Sequence, residues 1–389
     1  MDASMNEDWQ DNARMIVESA RAVVPADGAL SRVRKARFNG LGFDPKVMQQ
    51  AAELGWPLMW IGEEAGGLGL GLRETCALME VLGRGLVPEP VLSTMMAGAL
   101  LQEALPETVM TGEAVILTAW QDATGALTWQ GGAEAGHLTG PKVNLRGAAG
   151  ADLFAIVTGA GLAIVPRSAE GLTIETAETL DGGTMDRLHM TGVAADFLPC
   201  TQVDTVLQDA TLAHSAYLLG LADRALEITL DYLRVRKQFD RPIGSFQALQ
   251  HRATEMKIQL ELTRAAIAAT ARRFDTGADV ATRAAGAARC KLRAADLAML
   301  VSREAVQMHG AMGITDEADI GLFVRKAMTE ANLFGSPRQQ RRLLATRLDQ
   351  EEAAIGLFVR KAMAEANTYG SPREQRATLA GLLAEEHAA

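Results

Sequence analysis

Two long segments, 246–275 and 278–309, constrain the fold of this chain more than any other feature. Both are rich in alanine, leucine and arginine, contain no proline and have a single glycine between them, a composition that favours the α-helix. At about 1.5 Å per residue, each helix would be roughly 45 Å long. The whole region from residue 204 onward has the same composition, and it is therefore predicted to be helical.

The period of the apolar residues changes along the rest of the chain. Between residues 5 and 110, stretches such as NARMIVESARAV place apolar residues three and four apart, which predicts helices. Between 112 and 202, short runs such as AVILTAW lie between Gly, Asp and Asn clusters, which predicts strands joined by turns. This order predicts an α+β fold with segregated layers, divided into residues 1–110 (helical), 111–203 (β), 204–348 (helical bundle) and 349–389 (tail).

Composition excludes several classes of protein. Apolar residues make up 48% of the chain, charged residues 22%, and the net charge is −10, so neither nucleic acid nor an anionic membrane is expected as the main partner. Cys76, Cys200 and Cys290 are far apart and are expected to be reduced thiols. No apolar run reaches the roughly 18 residues of a bilayer span, and the acidic N-terminus shows no signal peptide. A cytoplasmic location is expected.

The segment RKQFDRPIGSFQ, at 236–247, gathers hydrogen-bond donors between two helical stretches. Arg236 has the forked guanidinium suited to a phosphate. Lys237, Gln238 and Arg241 add further donors, and Phe239 offers a ring face. The residues alone leave two interpretations open, a ligand-binding cluster and a solvated helix end whose cations favour the helix dipole.

Two glycine-containing segments also bear on function. In QMHGAMG, at 307–313, two glycines three apart would let backbone approach a flat or phosphorylated ligand, although a glycine helix cap explains them equally well. The segment EEAGGLGLGL, at 63–72, contains no GxGxxG and follows helices instead of a strand, so a dinucleotide-binding fingerprint is not expected. His189, His214 and His309 show no metal-ligand spacing, and no metal site is expected.

Taken in order, these segments resemble the acyl-CoA dehydrogenase family of flavoproteins over nearly the whole chain up to about residue 348. GEEAGGLGL resembles the family's PEExGGxG-like turn, and RKQFDRPIGSFQ resembles its RxxFGxPIxxFQ segment, with Asp240 in place of Gly. QMHGAMG resembles QxxGGxG, with Ala311 in place of Gly, and Arg325 stands where an arginine is usual. The resemblance implies an N-terminal helical domain, a middle β-barrel or sandwich domain and a C-terminal four-helix bundle.

The resemblance also implies a cofactor and partners. FAD would be the cofactor, an acyl-CoA the substrate and an electron-transfer flavoprotein the electron acceptor. The subunits would assemble as a homo- or heterotetramer in which one subunit contacts the adenosine and pyrophosphate of its neighbour's FAD. The residues implied in that contact are Arg236, Gln238, Phe239, Phe246 and Gln247, together with Gln307 and Gly310 of the same subunit.

The chain departs from the family at the catalytic base. Members remove the α-proton of the thioester with a glutamate at one of two positions, which correspond here to Phe334 and Ala210. Asp209 and Glu330 are carboxylates close to these positions, but a solvated helix face is the expected place for each. The strands that normally enclose the flavin ring also differ, and Trp120 and Asn144 are candidate substitutes.

Such a combination resembles the subunit that lacks the base in heteromeric steroid side-chain acyl-CoA dehydrogenases, whose RxQFDRPIGSFQ-like segment is close to this one. The chain is therefore expected to be an acyl-CoA dehydrogenase-like subunit without the catalytic glutamate. Two alternatives remain open: a homotetramer with a relocated base, and a binding or scaffold subunit without flavin.

A tandem repeat ends the sequence. IGLFVRKAMTEANLFGSPRQQR, at 320–341, returns at 355–376 with 18 of 22 positions identical. Two copies are too few for a solenoid. The first copy is expected to form the family's final helix, with Ile320, Phe323 and Val324 facing inward, and the second to lie outside that position. Exchange of the two copies stays open as an alternative, because closing the intervening loop would cost only about a few kcal/mol.

Overall fold

The computed structural model describes residues 3–123, 128–131, 135–159 and 161–346. Residues Met1–Gln340 form one compact unit, which carries every feature discussed below. The expected α+β organisation is confirmed, because helices come first, strands follow, and long helices end the unit. The predicted domain boundaries stay predictions, and the one at 348/349 lies outside the described residues, as does the second copy of the repeat.

Helix α4 (Leu72–Arg84) has a buried face that includes Leu78 and Leu82, and α1 (Ala3–Ala20) packs against it. Asp275 is the last residue of the predicted long helix 246–275. Its side chain accepts a hydrogen bond from the backbone amide of Leu72 at 2.7 Å and so satisfies an N–H group at the start of α4 that has no partner within the helix. The helices of this region are α1 (Ala3–Ala20), α2 (Ser31–Ala36), α3 (Pro45–Glu53), α4 (Leu72–Arg84), α5 (Val91–Leu101) and α6 (Glu107–Met110).

The middle of the chain forms one curled seven-stranded sheet in the order β1-β4-β5-β7-β3-β2, with β6 paired to β7. The long strand β7 pairs with β3, β5 and β6 and so holds the sheet together. Only the β1–β4 pair is parallel among the pairs of this sheet that the structure describes. The strands are β1 (Ile116–Ala119), β2 (Thr128–Gly131), β3 (Ala135–Leu145), β4 (Leu153–Val157), β5 (Gly161–Pro166), β6 (Leu172–Glu178) and β7 (Thr184–Pro199).

The C-terminal region consists of long helices, as predicted for 246–275 and 278–309. Its elements are α7 (Val203–Val235), the short strands β8 (Lys237–Gln238) and β9 (Arg241–Pro242), α8 (Gln247–Asp275), α9 (Val280–His309) and α10 (Ile320–Glu330). Helix α7 lies at the centre and packs against α4, α8 and α9. A Cβ atom on Gly220 of α7 would lie 1.9 Å from the carbonyl oxygen of Glu80 on α4, so glycine is required for the two helices to approach this closely.

The first copy of the repeat forms α10, as predicted. Ile320 and Phe323 are buried, whereas Val324 is only half-buried and Lys326 takes a buried position instead. Lys326 can be buried because carboxylates surround it, as described below. Among the described residues, no helix combines the length and the apolar composition that crossing a bilayer requires.

Candidate functional site

The segment RKQFDRPIGSFQ forms a small β-hairpin that projects from the end of α7. Strands β8 and β9 are joined by Phe239 and Asp240, which have φ angles of 52° and 62°. Two consecutive residues with positive φ are typical of a type I′ hairpin turn, in which glycine, asparagine and aspartate are favoured and phenylalanine is strained. The ring of Phe239 is 85% exposed at this tip. A strained turn with an exposed aromatic ring is expected to serve a contact outside the subunit.

Packing at its base holds the hairpin in place. The guanidinium of Arg241 lies over the ring of Phe246 at 4.2 Å, and the rings of Phe239 and Phe246 meet edge to face at 6.1 Å. The amide of Ile243 donates to the carbonyl of Arg236 at 2.8 Å. The exposed side chains of Arg236, Gln238 and Gln247 therefore stand on a defined framework.

The glycine-containing segment lies at the same end of the helical bundle. The ring of Tyr232, on the last turn of α7, stacks on His309 at 4.3 Å, and its hydroxyl donates to the carbonyl of His309 at 3.3 Å. Gln307 and Gly310 are exposed next to this contact, and Gly310 ends α9 with a φ of 62°. The helix-cap interpretation is thus correct for the backbone, and the segment also neighbours the hairpin.

A cavity of about 120 Å³ lies between the N-terminal helices, the sheet, α7 and α10. One wall is apolar and comes from α4 and α5, including Met79, Leu82 and Met96. The opposite wall contains Trp120, Asn144 and other residues that the next paragraphs describe. Tyr217 of this cavity precedes Arg236 by 19 residues in one continuous helix, so the cavity and the hairpin are roughly 28 Å apart along α7.

Phe334, which the sequence predicts to stand at one of the two positions of the family's glutamate, lines this cavity. Its ring stacks on Trp120 at a centroid distance of 5.9 Å and is tilted against His214 at 5.2 Å. Phe334 has a φ of 53°, and its carbonyl accepts a hydrogen bond from Gln340 Nε2 at 2.7 Å. Ala210, predicted for the other position, is fully buried in α7. Both positions therefore hold packed apolar side chains.

Glu330 does not lie on a solvated face, so the expectation for this residue is wrong. Its side chain is only 6% exposed, and its Oε1 lies 2.9 Å from Lys326 Nζ and 2.9 Å from Arg146 Nη1. Burial would raise the pKa of Glu330, but Lys326 and Arg146 outweigh burial and lower it to about 2. The carboxylate is therefore a fixed anion with little tendency to take up a proton.

Asp181 extends this group into a buried network of four charges. Its Oδ2 lies 2.7 Å from Arg146 Nη2 and 3.2 Å from Lys326 Nζ. Burial opposes ionisation of Asp181, yet the neighbouring Lys326 and Arg146 lower its pKa. Each of the two cations thus lies beside both carboxylates. Because Arg146 and Asp181 adjoin strands of the sheet and the other two residues belong to α10, these ion pairs connect the sheet to α10. We call Arg146, Asp181, Lys326 and Glu330 the charge network.

His214 lies against the charge network but is neutral. Burial lowers the pKa of His214 to about 4, although the carboxylate of Glu330 works in the opposite direction. Its Nε2 lies 3.1 Å from the backbone carbonyl oxygen of Glu330, a contact that requires Nε2 to carry the proton. The imidazole is thereby fixed in one tautomer, with its ring between Tyr217 and Phe334.

Asp209 is not on a solvated face either. Its carboxylate is ion-paired with Arg283, and burial raises the pKa of Asp209 to about 6 even though Arg283 lowers it. Asp209 is not among the residues that line the cavity. It therefore holds α7 to the start of α9 and has no access to a molecule in the cavity.

Comparison with known proteins identifies the family. Residues 10–107 match the model of the acyl-CoA dehydrogenase N-terminal domain, and residues 201–349 match that of the C-terminal domain. Acyl-CoA dehydrogenase IpdE2 of Mycolicibacterium smegmatis is 30% identical over 338 residues, which cover 85% of this chain and 96% of the relative. The chain belongs to the acyl-CoA dehydrogenase family. The recognition made from the sequence is thereby confirmed.

Two solved structures share the fold of this chain. The Tcur3481–Tcur3483 steroid ACAD has a TM-score of 0.81 at 24% identity and covers 89% of this chain and 99% of its own. The ChsE4–ChsE5 complex from Mycobacterium tuberculosis has a TM-score of 0.79 at 24% identity and covers 90% of this chain and 99% of its own. At this identity the two structures establish the fold.

Acyl-CoA dehydrogenases are FAD-dependent oxidoreductases that act on CH–CH bonds, and the class predicted from the sequence is confirmed. The hairpin fits one part of FAD, since it offers an exposed guanidinium, amide side chains and an aromatic ring to a molecule outside the subunit. These are suitable partners for a pyrophosphate and a purine. The individual roles of Arg236, Gln238, Phe239, Phe246, Gln247, Gln307 and Gly310 stay predictions.

Several residues that line the cavity were not predicted from the sequence. Trp120 and Asn144, proposed as substitutes near a flavin ring, do line the cavity, but so do Arg146, Glu89 and Lys326. The four-residue spacing of Lys326 and Glu330 was the only local signal available, since their other partners lie on distant elements. Among the described residues, no group of three or more His, Cys, Asp or Glu side chains is placed to hold a metal ion.

Proposed function

We propose that this chain is the subunit of a heteromeric acyl-CoA dehydrogenase that lacks the catalytic glutamate. The observation that carries the proposal is the packing of Phe334, the predicted counterpart of the base, between the rings of Trp120 and His214. FAD, when bound, supplies the acceptor for the hydride that leaves the β-carbon of the acyl group. The group that takes the α-proton would then come from a partner subunit.

The cavity residues support this division of labour. Glu330 is held as an anion by two cations, and its low pKa makes it a poor acceptor for the proton of a thioester. His214 is neutral, but burial lowers its pKa so far that a proton would be held weakly. Neither side chain replaces a glutamate of ordinary basicity.

The size of the cavity also favours a subunit that does not carry out the oxidation itself. A cavity of roughly 150 Å³ in another protein admits benzene, and this one measures about 120 Å³. An acyl chain and the edge of a flavin ring together need several times that volume.

The hairpin would be the functional contribution of this subunit to its partner. Arg236, Gln238 and Phe239 would hold the adenosine and pyrophosphate of the partner's FAD, with Phe246 and Gln247 at the base of the hairpin and Gln307 and Gly310 beside it. The contact between Tyr232 and His309 supports a shared role, because it places both segments at one end of the bundle.

The assembly and the redox partner are part of the proposal. The name of the ChsE4–ChsE5 complex shows that a structural neighbour is built from two different chains, and that of the Tcur3481–Tcur3483 enzyme describes a steroid dehydrogenase. We infer a tetramer of this chain with a related subunit that bears the glutamate, acting on a steroid-derived or fatty acyl-CoA in the cytoplasm. An electron-transfer flavoprotein would reoxidise the flavin.

Expression of the chain alone and together with a glutamate-bearing paralogue from the same genome tests the proposal. We expect the pair to co-purify with bound FAD and to oxidise an acyl-CoA, and the chain alone to show no turnover. Rapid acyl-CoA oxidation by the isolated chain would refute the proposal in favour of a relocated base. Co-purification of the pair without flavin would favour a scaffold role.

A further inference from the structure

Helix α8 carries an apolar stripe on the face opposite its buried side. Ile258, Leu262, Ala265 and Ala269 follow one another at intervals of four, three and four residues, a spacing that places them in one line along a helix. All four are exposed, and the two large side chains, Ile258 and Leu262, are 47% and 52% accessible to solvent. Such a stripe is the face with which a helix packs against another helix.

The surface beside the small residues of this stripe is hollow. A groove of about 410 Å³ lies between α4 and α8, and Ala265 and Ala269 are among the residues that line it. Leu219 and Ile267, which are buried, also line the groove and make it apolar. One half of the stripe therefore presents large side chains, and the other half presents small ones next to an apolar hollow.

The stripe is complementary to itself when the α8 helices of two molecules pack antiparallel. Its midpoint lies between Leu262 and Ala265. A two-fold axis at that point places Leu262 opposite Ala265 of the second molecule, and Ile258 opposite Ala269. Each large side chain then meets a small one, as in the packing of ridges into grooves. Because the contact is symmetric, each of these pairs occurs twice.

The charges at the two ends of the stripe fit the same arrangement. Glu255 lies three residues before Ile258, and Arg272 lies three residues after Ala269, so the two-fold axis also brings these opposite charges together. Both side chains are exposed, and neither forms an ion pair within the described residues. Glu255 accepts a hydrogen bond from Gln259 Nε2 at 2.9 Å. A parallel arrangement would place like charges side by side, which is unfavourable.

We propose that this face of α8 binds the same face of a second molecule of the chain, as an antiparallel two-fold pair. The contact joins two identical chains and requires neither FAD nor a glutamate-bearing subunit. It therefore goes beyond the proposed function, and the two proposals can fail separately. The α8 face consists of Glu255, Ile258, Leu262, Ala265, Ala269 and Arg272.

Sedimentation velocity of the full-length chain, expressed alone, tests the contact. We expect the wild type to be a homodimer. Leu262→Asp should raise the dissociation constant more than about a hundredfold, because two leucines leave the contact and two charges enter it. Leu180→Asp replaces a leucine of similar exposure, 55%, between β6 and β7, and should leave the dimer intact. A monomeric wild type, or a Leu262→Asp variant that dimerises as well as the wild type, would overturn the proposal.

Exchange of the two end charges tests the antiparallel register and changes only exposed side chains. Glu255→Arg and Arg272→Glu each create two contacts between like charges in the dimer, and each should raise the dissociation constant about tenfold at low salt. The double variant Glu255→Arg/Arg272→Glu brings opposite charges together again and should dimerise like the wild type. Losses that add up in the double variant would overturn the proposed register.

A glutamate-bearing subunit is the other candidate to cover the α8 face, and the same variants distinguish it. If Leu262→Asp leaves the chain alone unchanged but separates it from a co-purifying related subunit, the face belongs to that subunit and the proposed contact is wrong. If the chain alone dimerises through Leu262 and the co-expressed pair lacks flavin or activity, the contact stands and the proposed function fails.

Discussion

Replacement of Glu330 by glutamine removes one carboxylate from the charge network and leaves Arg146 and Lys326 with Asp181 as their shared counter-ion. All four side chains are largely buried, at 14% exposure or less. Breaking a buried ion pair by removing one partner costs about 3–5 kcal/mol, because the remaining charge is left without compensation. Glu330→Gln should therefore lower the free energy of unfolding by roughly that amount at pH 7.

Linkage between ionisation and folding gives a second value for the contribution of Glu330 to the free energy of unfolding. The pKa of Glu330 is about 2 in the folded chain, against an ordinary value of 4.5. A group with a lowered pKa stabilises the folded state above its unfolded pKa and loses that contribution as the pH falls. At about 1.4 kcal/mol per pH unit, the difference corresponds to about 3 kcal/mol. The stability difference between wild type and Glu330→Gln should therefore shrink between about pH 5 and pH 2.

Urea unfolding followed by circular dichroism measures both effects, at one protein concentration because assembly changes the apparent stability. Glu175→Gln removes an exposed carboxylate that pairs with Arg187 and His189, and it should leave the unfolding midpoint unchanged. In the double variant Lys326→Met/Glu330→Met, the pair Arg146–Asp181 remains balanced, so the loss should be smaller than the sum of the two single losses. A loss below about 1 kcal/mol for Glu330→Gln would refute the reasoning about the charge network.

Three further changes test other parts of the structure. Arg236→Ala should weaken the affinity of the assembled protein for FAD more than about tenfold, since a forked charged contact contributes about 1.5–3 kcal/mol. The purified variant should therefore contain less FAD, and an unchanged flavin absorbance would show that Arg236 does not contact the cofactor. Gly220→Ala places a Cβ 1.9 Å from a backbone oxygen of α4, and thermal unfolding should show a loss of about 1–3 kcal/mol that Gly159→Ala, in open space, does not. Truncation after Leu348 should preserve circular dichroism and flavin content, and loss of either would show that the second copy of the repeat is required.

The parts of the fold that local rules govern were predictable. The helices α8 and α9 follow from residues with high helix propensity, and the buried face of α10 follows from the spacing of Ile320 and Phe323. The hairpin was seen only as a link with many donors, because nothing in the sequence requires Phe239 to adopt a positive φ. Its turn exists because the strands on either side pair in that register.

The charge network was not predictable, because its members come from separate elements. Arg146 follows β3, Asp181 lies between β6 and β7, and Glu330 ends α10. Sequence distance hides their proximity, so Glu330 looked like a solvated residue. The same reason hides Glu89, whose partner Arg32 lies 57 residues earlier. Rules based on residue spacing describe one helix or strand at a time. They therefore do not predict ion pairs between residues that are distant in the sequence.

Helix α7 separates two sites under different physical demands. At its C-terminal end, the hairpin exposes an aromatic ring and charged donors, an arrangement that costs solvation and strain and gains stability only from a partner molecule. Near its middle, α7 packs against Phe334, the residue proposed to stand in place of the family's base, and paired charges and aromatic rings surround that side chain. The proposed role of the subunit therefore places the contact with a partner's cofactor at one end of α7, away from the cavity near the middle of the helix.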